Sequence, residues 1–289
     1  MKYDITMIGH ISRDIMIYKG EEVRLTGGPV IYSSAAAARS GKNVQVITRA
    51  SGDAENELNG MRDDGVQVIR LDSMATTSIE NIYFSADKEK RKVTLLAQAD
   101  PFTIESIPDT ESTIFHLAGL FRGEIPDVFI SYLAGKGKVG IDAQGLLRCS
   151  EKGELLFKDW SSKKELLPSI TYLKTDAAEA EILTGENDRE KASHILASWG
   201  AKEVMVTHNT EVIVLVDGKI HRAPFTPSNL SGRTGRGDTT FAAYLAWRLD
   251  HGPEESVRYA AALCSIKMET PGPFSGTSND VKIRMNIDK

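Results

Sequence analysis

The segment Val44–Leu71, with the sequence VQVITRASGDAENELNGMRDDGVQVIRL, decides the fold class of this chain. Its first residues, Val44–Thr48, form an apolar run that predicts a buried strand. Gly52-Asp53 then caps a predicted helix that ends near Gly65, and Val66–Leu71 predicts the next strand. A strand, a helix and a strand in this order are typical of a parallel sheet with right-handed crossovers, so we predict an α/β fold.

The same alternation continues along most of the chain. Further strand-like runs lie at residues 3–9, 113–117, 138–142, 171–174 and 203–207, and a tight hairpin is predicted at 211–216 and 219–223. Helical patterns lie at residues 29–40, 126–134, 177–184, 189–199, 238–250 and 253–268. No clear linker or internal repeat separates these elements, so we predict one domain over residues 1–289.

Residues 76–100 interrupt the alternation. The stretch TTSIENIYFSADKEKRKVTLLAQAD contains two strand-like runs around the charged tip Asp87–Lys92. It predicts a small antiparallel sheet inserted into the parallel fold, and residues 11–26 are candidates for an added strand. The insert is either an ordinary surface excursion or a lid over a site, and we favour the lid.

The composition argues against several classes of protein. The 289 residues carry a net charge of -5, whereas a nucleic-acid-binding domain is normally basic. No apolar stretch approaches the roughly 18 residues that indicate a transmembrane helix. Because the start of the chain also lacks the features of a signal peptide, we expect a cytoplasmic protein without nucleic-acid or membrane partners. Cys149 and Cys264 lie far apart, without the spacing of a metal or redox site.

Two common nucleotide-binding motifs are missing. No G-x-x-x-x-G-K-[ST] segment occurs, which excludes a P-loop. No G-x-G-x-x-G follows the first strand, which disfavours a dinucleotide-dependent dehydrogenase.

The stretch Ser231–Leu245, SGRTGRGDTTFAAYL, joins a glycine-rich loop to an apolar helix. Asp238 lies at the junction, where a carboxylate can cap the helix. The same junction can bind an anion, because a helix N-terminus offers free N–H groups and the positive end of the helix dipole. These residues alone favour the two interpretations equally.

Five segments together are similar to the ribokinase-like (PfkB) carbohydrate kinases, and the resemblance covers nearly the whole chain. They occur in the order of that family: IGHISRD, GGPVIYSSAAAARSG, TDAAEAEILTG, VMVTHNTEVIVLVDG and GRTGRGD. The resemblance implies a three-layer ribokinase-like sandwich with a β lid. It also implies a kinase that transfers the γ-phosphoryl group of ATP, with Mg²⁺, to a hydroxyl of a small sugar or polyol.

This sequence departs from the family pattern at several positions. The first Asp of the family's D-T-x-G-A-G-D segment, which helps some relatives to bind a monovalent cation, is Gly232 here, so potassium activation is not expected. Arg236 replaces the middle alanine, and Tyr32 replaces the Asn with which ribokinases hold a sugar hydroxyl, which argues against ribose. The segments TTSIEN, DAQG, GRTGRGDT and PGPF look most like a subgroup associated with inositol and related polyols.

The resemblance assigns a role to each candidate residue in the transfer. Asp238 would be the general base, and the backbone of Thr234, Gly235, Arg236 and Gly237 would form the anion hole. This fits the chemistry, because phosphoryl transfer depends mostly on positioning and on stabilising charge. The acceptor would bind near six residues: Asp14, Gly27, Gly28, Tyr32, Asp142 and Gln144.

The donor side is predicted from the later segments. Nucleotide contacts are expected from Thr207, Asn209, Lys267 and Gly272. Asp176 and Glu179, three residues apart at a helix start, would hold Mg²⁺ through water, since Mg²⁺ keeps several waters and bridges phosphates. The alternative for this pair is helix capping.

Two other functions remain open at this stage. One is a nucleoside or hydroxymethylpyrimidine kinase of the same fold, and the other is a sugar-binding regulator without catalysis. The resemblance further suggests a homodimer formed through lid strands.

Overall fold

The computed structural model describes residues 2–84 and 91–287. Its strands, in chain order, are β1 (Tyr3–Ile8), β2 (Ser12–Tyr18), β3 (Glu21–Gly27), β4 (Val44–Ala50), β5 (Gln67–Asp72), β6 (Thr77–Tyr83), β7 (Arg91–Ala97), β8 (Ser112–Leu117), β9 (Lys138–Asp142), β10 (Arg148–Glu151), β11 (Glu154–Phe157), β12 (Tyr172–Asp176), β13 (Glu203–Thr207), β14 (Glu211–Val216) and β15 (Lys219–Pro224). Its α-helices are α1 (Pro29–Arg39), α2 (Asn59–Asp63), α3 (Val128–Ala134), α4 (Gln144–Leu147), α5 (Lys163–Leu166), α6 (Ala177–Thr184), α7 (Arg189–Ser198), α8 (Arg236–Arg248), α9 (Pro253–Met268) and α10 (Ser278–Ile287).

The large sheet has the strand order β15-β14-β13-β12-β9-β8-β1-β4-β5. Every neighbouring pair from β13 to β5 is parallel, while β14 and β15 continue the sheet as an antiparallel hairpin. Strands buried on both faces read as continuous apolar runs, which is why the sequence predicts them well. The predicted α/β fold with a mostly parallel sheet is confirmed.

Helices cover both faces of the large sheet. One apolar core joins the sheet to α1, α8 and α9, and a second core joins the opposite face to α3, α6 and α7. The result is the expected three-layer sandwich. No helix in the described part of the chain is long and apolar enough to cross a bilayer.

A second sheet, called the small sheet here, has the order β10-β11-β7-β6-β2-β3. The predicted hairpin at 76–100 corresponds to β6 and β7, and of its charged tip, residues 87–90 lie outside the described part of the chain. Residues 11–26 form two strands rather than one, because the chain turns at Lys19 and Gly20, which both have positive φ. β10 and β11 were not predicted, since each is only four residues long and partly charged.

The crossover between β4 and β5 differs from its prediction. The expected helix over residues 52–65 is a 3₁₀ helix at Gly52–Leu58 followed by the single turn α2. Glycine and asparagine, which occupy positions 52, 56, 59 and 60, are poor helix formers, so a regular helix is weakly favoured here. The helix predicted from Asp238 begins two residues earlier, at Arg236, and α10 was not predicted.

A buried polar cluster ties the small sheet to the large one. The backbone N–H of His10, between β1 and β2, donates to Glu124 Oε1 at 2.7 Å. The His10 ring contacts Thr77 Oγ1 at the start of β6 and the carbonyl oxygen of Asp100 after β7, both at 3.1 Å. Because the segments that enter and leave the small sheet meet at this cluster, it fixes where that sheet stands relative to the strand ends.

Candidate active site

The predicted site residues gather at one edge of the large sheet. The parallel strands β1, β9, β12 and β13 end there, at Ile8, Asp142, Asp176 and Thr207. Open parallel sheets bind ligands at the carboxyl ends of their strands. The first turn of α8 reaches the same edge, because a Cβ on Gly237 would lie 3.0 Å from Nζ of Lys174 in β12.

The loop before α8 has the geometry of an anion site. Gly235 caps the helix with φ of 77°, and a Cβ there would lie 2.2 Å from the Tyr32 ring, so only glycine fits. The amides of Gly237 and Asp238 donate to no backbone carbonyl in the described part of the chain, whereas Arg236 donates to the Arg233 carbonyl oxygen at 3.3 Å and Thr239 to that of Gly235 at 2.9 Å. Free amides at the positive end of a helix dipole attract a phosphate.

Asp238 has the electrostatic environment of a general base. Burial and, to a smaller extent, the nearby Asp142 raise the pKa of its carboxyl, Lys174 and Arg148 lower it, and the net result is a pKa of about 6. The carboxylate is therefore ionised at neutral pH and able to accept a proton. A base whose pKa lies close to the working pH combines the correct protonation state with a useful driving force.

Lys174 is a site residue that the sequence reasoning missed. Its Nζ donates to both carboxylate oxygens of Asp142, at 2.8 and 3.0 Å, and lies 3.8 Å from Glu179 Oε2. A Cβ on Gly237 would lie 3.0 Å from the same Nζ, so the amine touches the first turn of α8. Burial opposes its charge, but Asp142 and Glu179 outweigh burial and raise the pKa of Lys174. The signal was a lone lysine inside the buried strand β12.

Asp176 and Glu179 cap α6 with each other. Asp176 Oδ1 accepts from the Glu179 N–H, and Glu179 Oε2 accepts from the Asp176 N–H, both at 2.8 Å. Burial raises the pKa of Glu179 to about 7, while Lys174 lowers it. Capping, the alternative considered for this pair, is therefore present. Within residues 2–84 and 91–287, no three acidic, histidine or cysteine side chains converge as a metal site.

On the acceptor side, Asp14 lies on β2 against the Gly27-Gly28 pair. A Cβ on Gly27 would lie 2.5 Å from Asp14 Oδ2, and one on Gly28, where φ is 100°, would lie 2.6 Å from the His10 carbonyl oxygen. Both glycines are thus required by contacts within the protein. An adjoining open cleft of about 480 Å³ is lined by Arg13, Asp14, Ile15, Arg24, Leu25, Thr26, Asp53, Glu57 and Ser78.

Tyr32 connects the acceptor side to the anion loop. Its ring is buried against Gly235. Burial raises the pKa of the Tyr32 hydroxyl, and the charges of Asp14 and Asp238 raise it further, so the phenol stays protonated and can donate a hydrogen bond.

The remaining predicted acceptor residues lie beside the small sheet. Asp142 Oδ1 accepts from the Gln144 N–H at 3.1 Å, and Gln144 Oε1 accepts from Arg148 at 2.8 Å. Arg148 belongs to β10, and its charge lowers the pKa of Asp238. The small sheet thereby places a guanidinium near the base, which the sequence analysis did not foresee.

On the donor side, the structure brings Arg236 and Asn209 into contact. Arg236 Nη1 donates to Asn209 Oδ1 at 3.1 Å, and its guanidinium lies 6.0 Å from the centre of the Phe225 ring. Burial lowers the pKa of Arg236, although the group stays charged, as arginine does in proteins.

Three predicted nucleotide residues have other contacts in the structure. Lys267 is almost fully buried beneath the loop before α8, so its amine does not line an open nucleotide pocket as predicted. Thr207 is also buried, and its hydroxyl donates to the Thr175 carbonyl oxygen at 3.4 Å. Gly272 is exposed in a loop with φ of 89°, which favours glycine for conformational reasons alone.

The sequence matches the pfkB family carbohydrate kinases over residues 1–279. The chain belongs to this family. Together with its kinase relatives, this makes the protein a carbohydrate or polyol kinase of the ribokinase type. A cytidine kinase of Thermococcus kodakarensis is 27% identical to it over 267 residues, which cover 88% of this chain and 92% of that protein.

Several solved members of the family superpose on the whole chain. A pyrophosphate-dependent kinase of the ribokinase family, solved with a pyrophosphate analogue and myo-inositol, is 36% identical, with a TM-score of 0.89 and coverage of 96% of this chain and 99% of that one. A pyrophosphate-dependent myo-inositol-1 kinase, converted by mutation into a myo-inositol-3 kinase, is 35% identical, with the same TM-score and 99% coverage of both chains. Ribokinase of Arabidopsis thaliana, solved with ribose and ATP, is 20% identical with a TM-score of 0.77, covers 99% of both chains and shares the fold.

Proposed function

We propose that this kinase phosphorylates a hydroxyl of a cyclic polyol of the myo-inositol type, with Asp238 as general base. The main support for the proposal is the position of Asp238 in the first turn of α8, beside the backbone amides after Gly235 that donate to no carbonyl. The similarity to kinases solved with or named for myo-inositol supports the acceptor class.

The reaction follows from these groups. The Asp238 carboxylate accepts the proton of the acceptor hydroxyl. At the same time the hydroxyl oxygen of the acceptor forms a bond to the transferred phosphorus. The bond from phosphorus to the leaving oxygen breaks, and its electron pair stays on the leaving phosphate. The amides of Gly235, Gly237 and Asp238 stabilise the charge on the phosphoryl oxygens, and such preorganised donors are typically worth about 10²–10³ in rate each.

The proposed donor is pyrophosphate, with ATP, which the sequence resemblance implied, as the second candidate. Arg236 replaces a neutral residue of the family pattern beside the anion loop, and Arg233 lies in that loop. A compact anion without base or ribose depends for recognition mainly on such guanidinium groups, which bind phosphate oxygens in pairs. Arg236 also packs over Phe225 and reaches Asn209, on the side where a nucleotide was predicted. The pyrophosphate-dependent relatives support the same choice.

Magnesium is proposed to enter with the donor. Asp176 and Glu179 each use one carboxylate oxygen in capping, so they fit a water-mediated contact better than a direct metal site. The ion would supply charge neutralisation between the donor phosphates. Asp176 would orient its water shell, while Glu179 stays with Lys174.

The small sheet is proposed to close over the acceptor and to pair two copies of the chain. Its edge strand β3 exposes Val23 and Leu25, and Leu96 and Phe157 add apolar surface on β7 and β11. An exposed apolar edge strand is a surface on which another strand can pair. Sedimentation of the wild type as a dimer, and of the Val23→Lys variant as a monomer, would support this arrangement, and a monomeric wild type would contradict it.

A panel of donors and acceptors tests the function. The wild type is incubated with Mg²⁺, with either pyrophosphate or ATP, and with myo-inositol, its isomers, ribose, fructose or cytidine, and phosphomonoesters are detected by ³¹P NMR. We expect the highest kcat/KM for pyrophosphate with myo-inositol. Preference for ATP would overturn the assignment of pyrophosphate as donor. Preference for cytidine would support the alternative function, a nucleoside kinase like the Thermococcus relative. Absence of phosphomonoester with every pair would contradict the proposal.

A further inference from the structure

Lys267 has an unusual set of partners. It lies in the last turn of α9 with 1% of its surface exposed. Its Nζ donates to the backbone carbonyl oxygens of Gly232 and Thr234, and it lies 5.2 Å from the centre of the Tyr32 ring. No carboxylate lies within ion-pair distance of this amine in the described part of the chain.

Backbone carbonyls and an aromatic face are ligands of a bare cation rather than partners in an ion pair. Carbonyl oxygens can replace the hydration shell of a monovalent ion, and the face of a ring attracts a cation. A buried charge destabilises the fold unless it is well coordinated. A lysine at this position would therefore be unfavourable if its only role were to fill space. Both carbonyls belong to the same loop, the one that leads into α8.

The geometry of the peptide bond links these carbonyls to the anion site. In a planar trans peptide the C=O and the N–H of the same unit point in opposite directions. The Thr234 carbonyl shares its peptide unit with the Gly235 N–H, and the Gly232 carbonyl shares one with the Arg233 N–H. Holding the two oxygens on Lys267 therefore directs these two N–H groups away from α9, toward the side where the donor phosphate would lie.

The loop rests tightly on the end of α9. The Gly232 N–H donates to the Met268 carbonyl oxygen at 2.8 Å. A Cβ on Gly232 would lie 1.8 Å from the Thr270 carbonyl oxygen and 2.9 Å from that of Lys267. No side chain fits at position 232, so the loop is held to α9 by backbone hydrogen bonds, by the Lys267 amine and by the neighbouring Ser231 hydroxyl, which donates to the Glu269 carbonyl oxygen at 2.7 Å.

We propose that Lys267 is a positioning residue that acts as a tethered monovalent cation, drawing the carbonyls of Gly232 and Thr234 together so that the loop presents its amides to the donor. The proposal rests on the proposed phosphoryl transfer. The wild type then needs no added monovalent cation. When the side chain is shortened, the two carbonyls and the vacated space form a site for a free ion.

Several charged groups surround the amine. Burial lowers the pKa of Lys267 to about 8, while Cys264 and Asp238 raise it. Arg236 lies near Cys264, whose thiol keeps a raised pKa through burial. Lys267 is therefore mostly protonated at neutral pH, and a loss of wild-type activity above about pH 8 is a second expected signature.

The test is chemical rescue. Turnover of the wild type, Lys267→Ala, Lys267→Met and the control Lys202→Ala is measured in tetramethylammonium buffer and again with ammonium or potassium added. Lys202 is an exposed lysine just before β13, at the end of that strand away from the site. Lys267→Met keeps most of the apolar stem, so it separates loss of charge from loss of packing.

We expect the wild type and Lys202→Ala to be unaffected by the cation. Both Lys267 variants should lose about a hundredfold in kcat, as for the loss of a preorganised donor, and Lys267→Ala should regain about tenfold or more with ammonium or potassium. The proposal is overturned if Lys267→Met keeps wild-type turnover, or if Lys267→Ala folds but neither cation restores it.

Failure of the proposed function is recognised separately. If the wild type phosphorylates nothing, the binding of inorganic pyrophosphate to the same variants is measured by calorimetry. A Kd about tenfold weaker in Lys267→Ala, restored by potassium, would support the role of Lys267 in shaping the loop without any turnover. Equal binding by the wild type and both variants would overturn it.

Discussion

Lys174 donates hydrogen bonds to both carboxylate oxygens of Asp142, at 2.8 and 3.0 Å, between the neighbouring strands β12 and β9. Asp142 also accepts from the Gln144 N–H. The role of Asp142 as an acceptor contact stays a prediction, but its carboxylate already accepts three hydrogen bonds within the protein, two from Lys174 and one from Gln144. The Asp142 carboxylate holds the Lys174 ammonium beside Gly237 and Asp238, the proposed base.

Replacing Lys174 by Met should destabilise the fold. It leaves Asp142 and Glu179 buried without their counter-charge, and breaking a buried ion pair typically costs about 3–5 kcal/mol. Urea denaturation of both proteins measures the change in the free energy of unfolding. The double variant Lys174→Met with Asp142→Asn should regain part of the loss. A Lys174→Met variant as stable as the wild type would show that the Lys174 charge does not stabilise the buried carboxylates of Asp142 and Glu179.

Asp238→Asn should lower kcat by about a hundredfold or more while the fold remains as stable or becomes more stable. The pKa of Asp238 is raised by burial from 3.8 to about 6, so the folded state holds the proton more tightly than the unfolded state. The stability that this proton brings is present at acidic pH and is lost as pH rises through 6. At neutral pH the ionised carboxylate therefore costs on the order of 3 kcal/mol, which an uncharged amide avoids. Turnover and urea denaturation test both effects, and near-normal turnover would refute the assignment.

The pH profile of the wild type should show an acidic limb in kcat/KM near pH 6, because Asp238 must be ionised to accept the proton. His116 is not its source, since burial lowers the pKa of this imidazole to about 4. Glu179 titrates in the same region, with a pKa of about 7, so Glu179→Gln is the control. The limb should persist in that variant. Its disappearance would assign the titration to Glu179.

Arg236→Ala should weaken the binding of the phosphoryl donor. Losing a charged hydrogen-bond donor to phosphate typically costs about 1.5–3 kcal/mol, or roughly ten- to a hundredfold in the KM for pyrophosphate. Arg222→Ala is a matched control, because Arg222 is exposed and pairs with Glu190 on the surface. Steady-state kinetics with varied donor and saturating acceptor separate the two. Unchanged KM and kcat in the Arg236 variant would remove Arg236 from the donor site.

Gly235→Ala should abolish most activity by deforming the anion loop. The new Cβ would meet the Tyr32 ring at 2.2 Å, at a backbone φ of 77° that alanine adopts only with strain. Gly60→Ala in α2 is the control, since a Cβ there meets nothing within 4 Å. We expect normal turnover in the control and a loss of about a hundredfold or more in Gly235→Ala. A fully active Gly235→Ala would show that the loop tolerates another conformation.

The sequence predicted those parts of the fold whose local signals are strong. Buried strands such as Glu203–Thr207 have uninterrupted apolar or β-branched residues after the first position, and Asp217-Gly218 marks the turn that follows β14. Arg148–Glu151 and Glu154–Phe157 escaped prediction because these short, half-exposed strands are stabilised by pairing with each other and, for β11, with β7 rather than by their own pattern.

The site shows the same division. Asp238 and Gly235 could be found because their residue types and spacing carry the chemistry of a helix N-terminus. Lys174 was not found, and Lys267 was expected to contact a nucleotide, since each lysine has partners that only the folded chain brings together. Asp142 lies 32 residues from Lys174 in sequence, and Gly232 lies 35 residues from Lys267. In the sequence, such a residue is marked only by its position as a lysine within an otherwise apolar strand or helix.

Comparison of the wild type with Asp238→Asn tests the proposed acceptor, donor and general base together. Formation of phosphomonoester from myo-inositol and pyrophosphate is followed by ³¹P NMR for the wild type and for Asp238→Asn, after calorimetry has established donor binding by both. We expect product from the wild type, and from the variant a Kd within about threefold of the wild type with a rate lower by about a hundredfold or more. Equal rates from the two proteins, or donor hydrolysis without any phosphomonoester from the wild type, would contradict it.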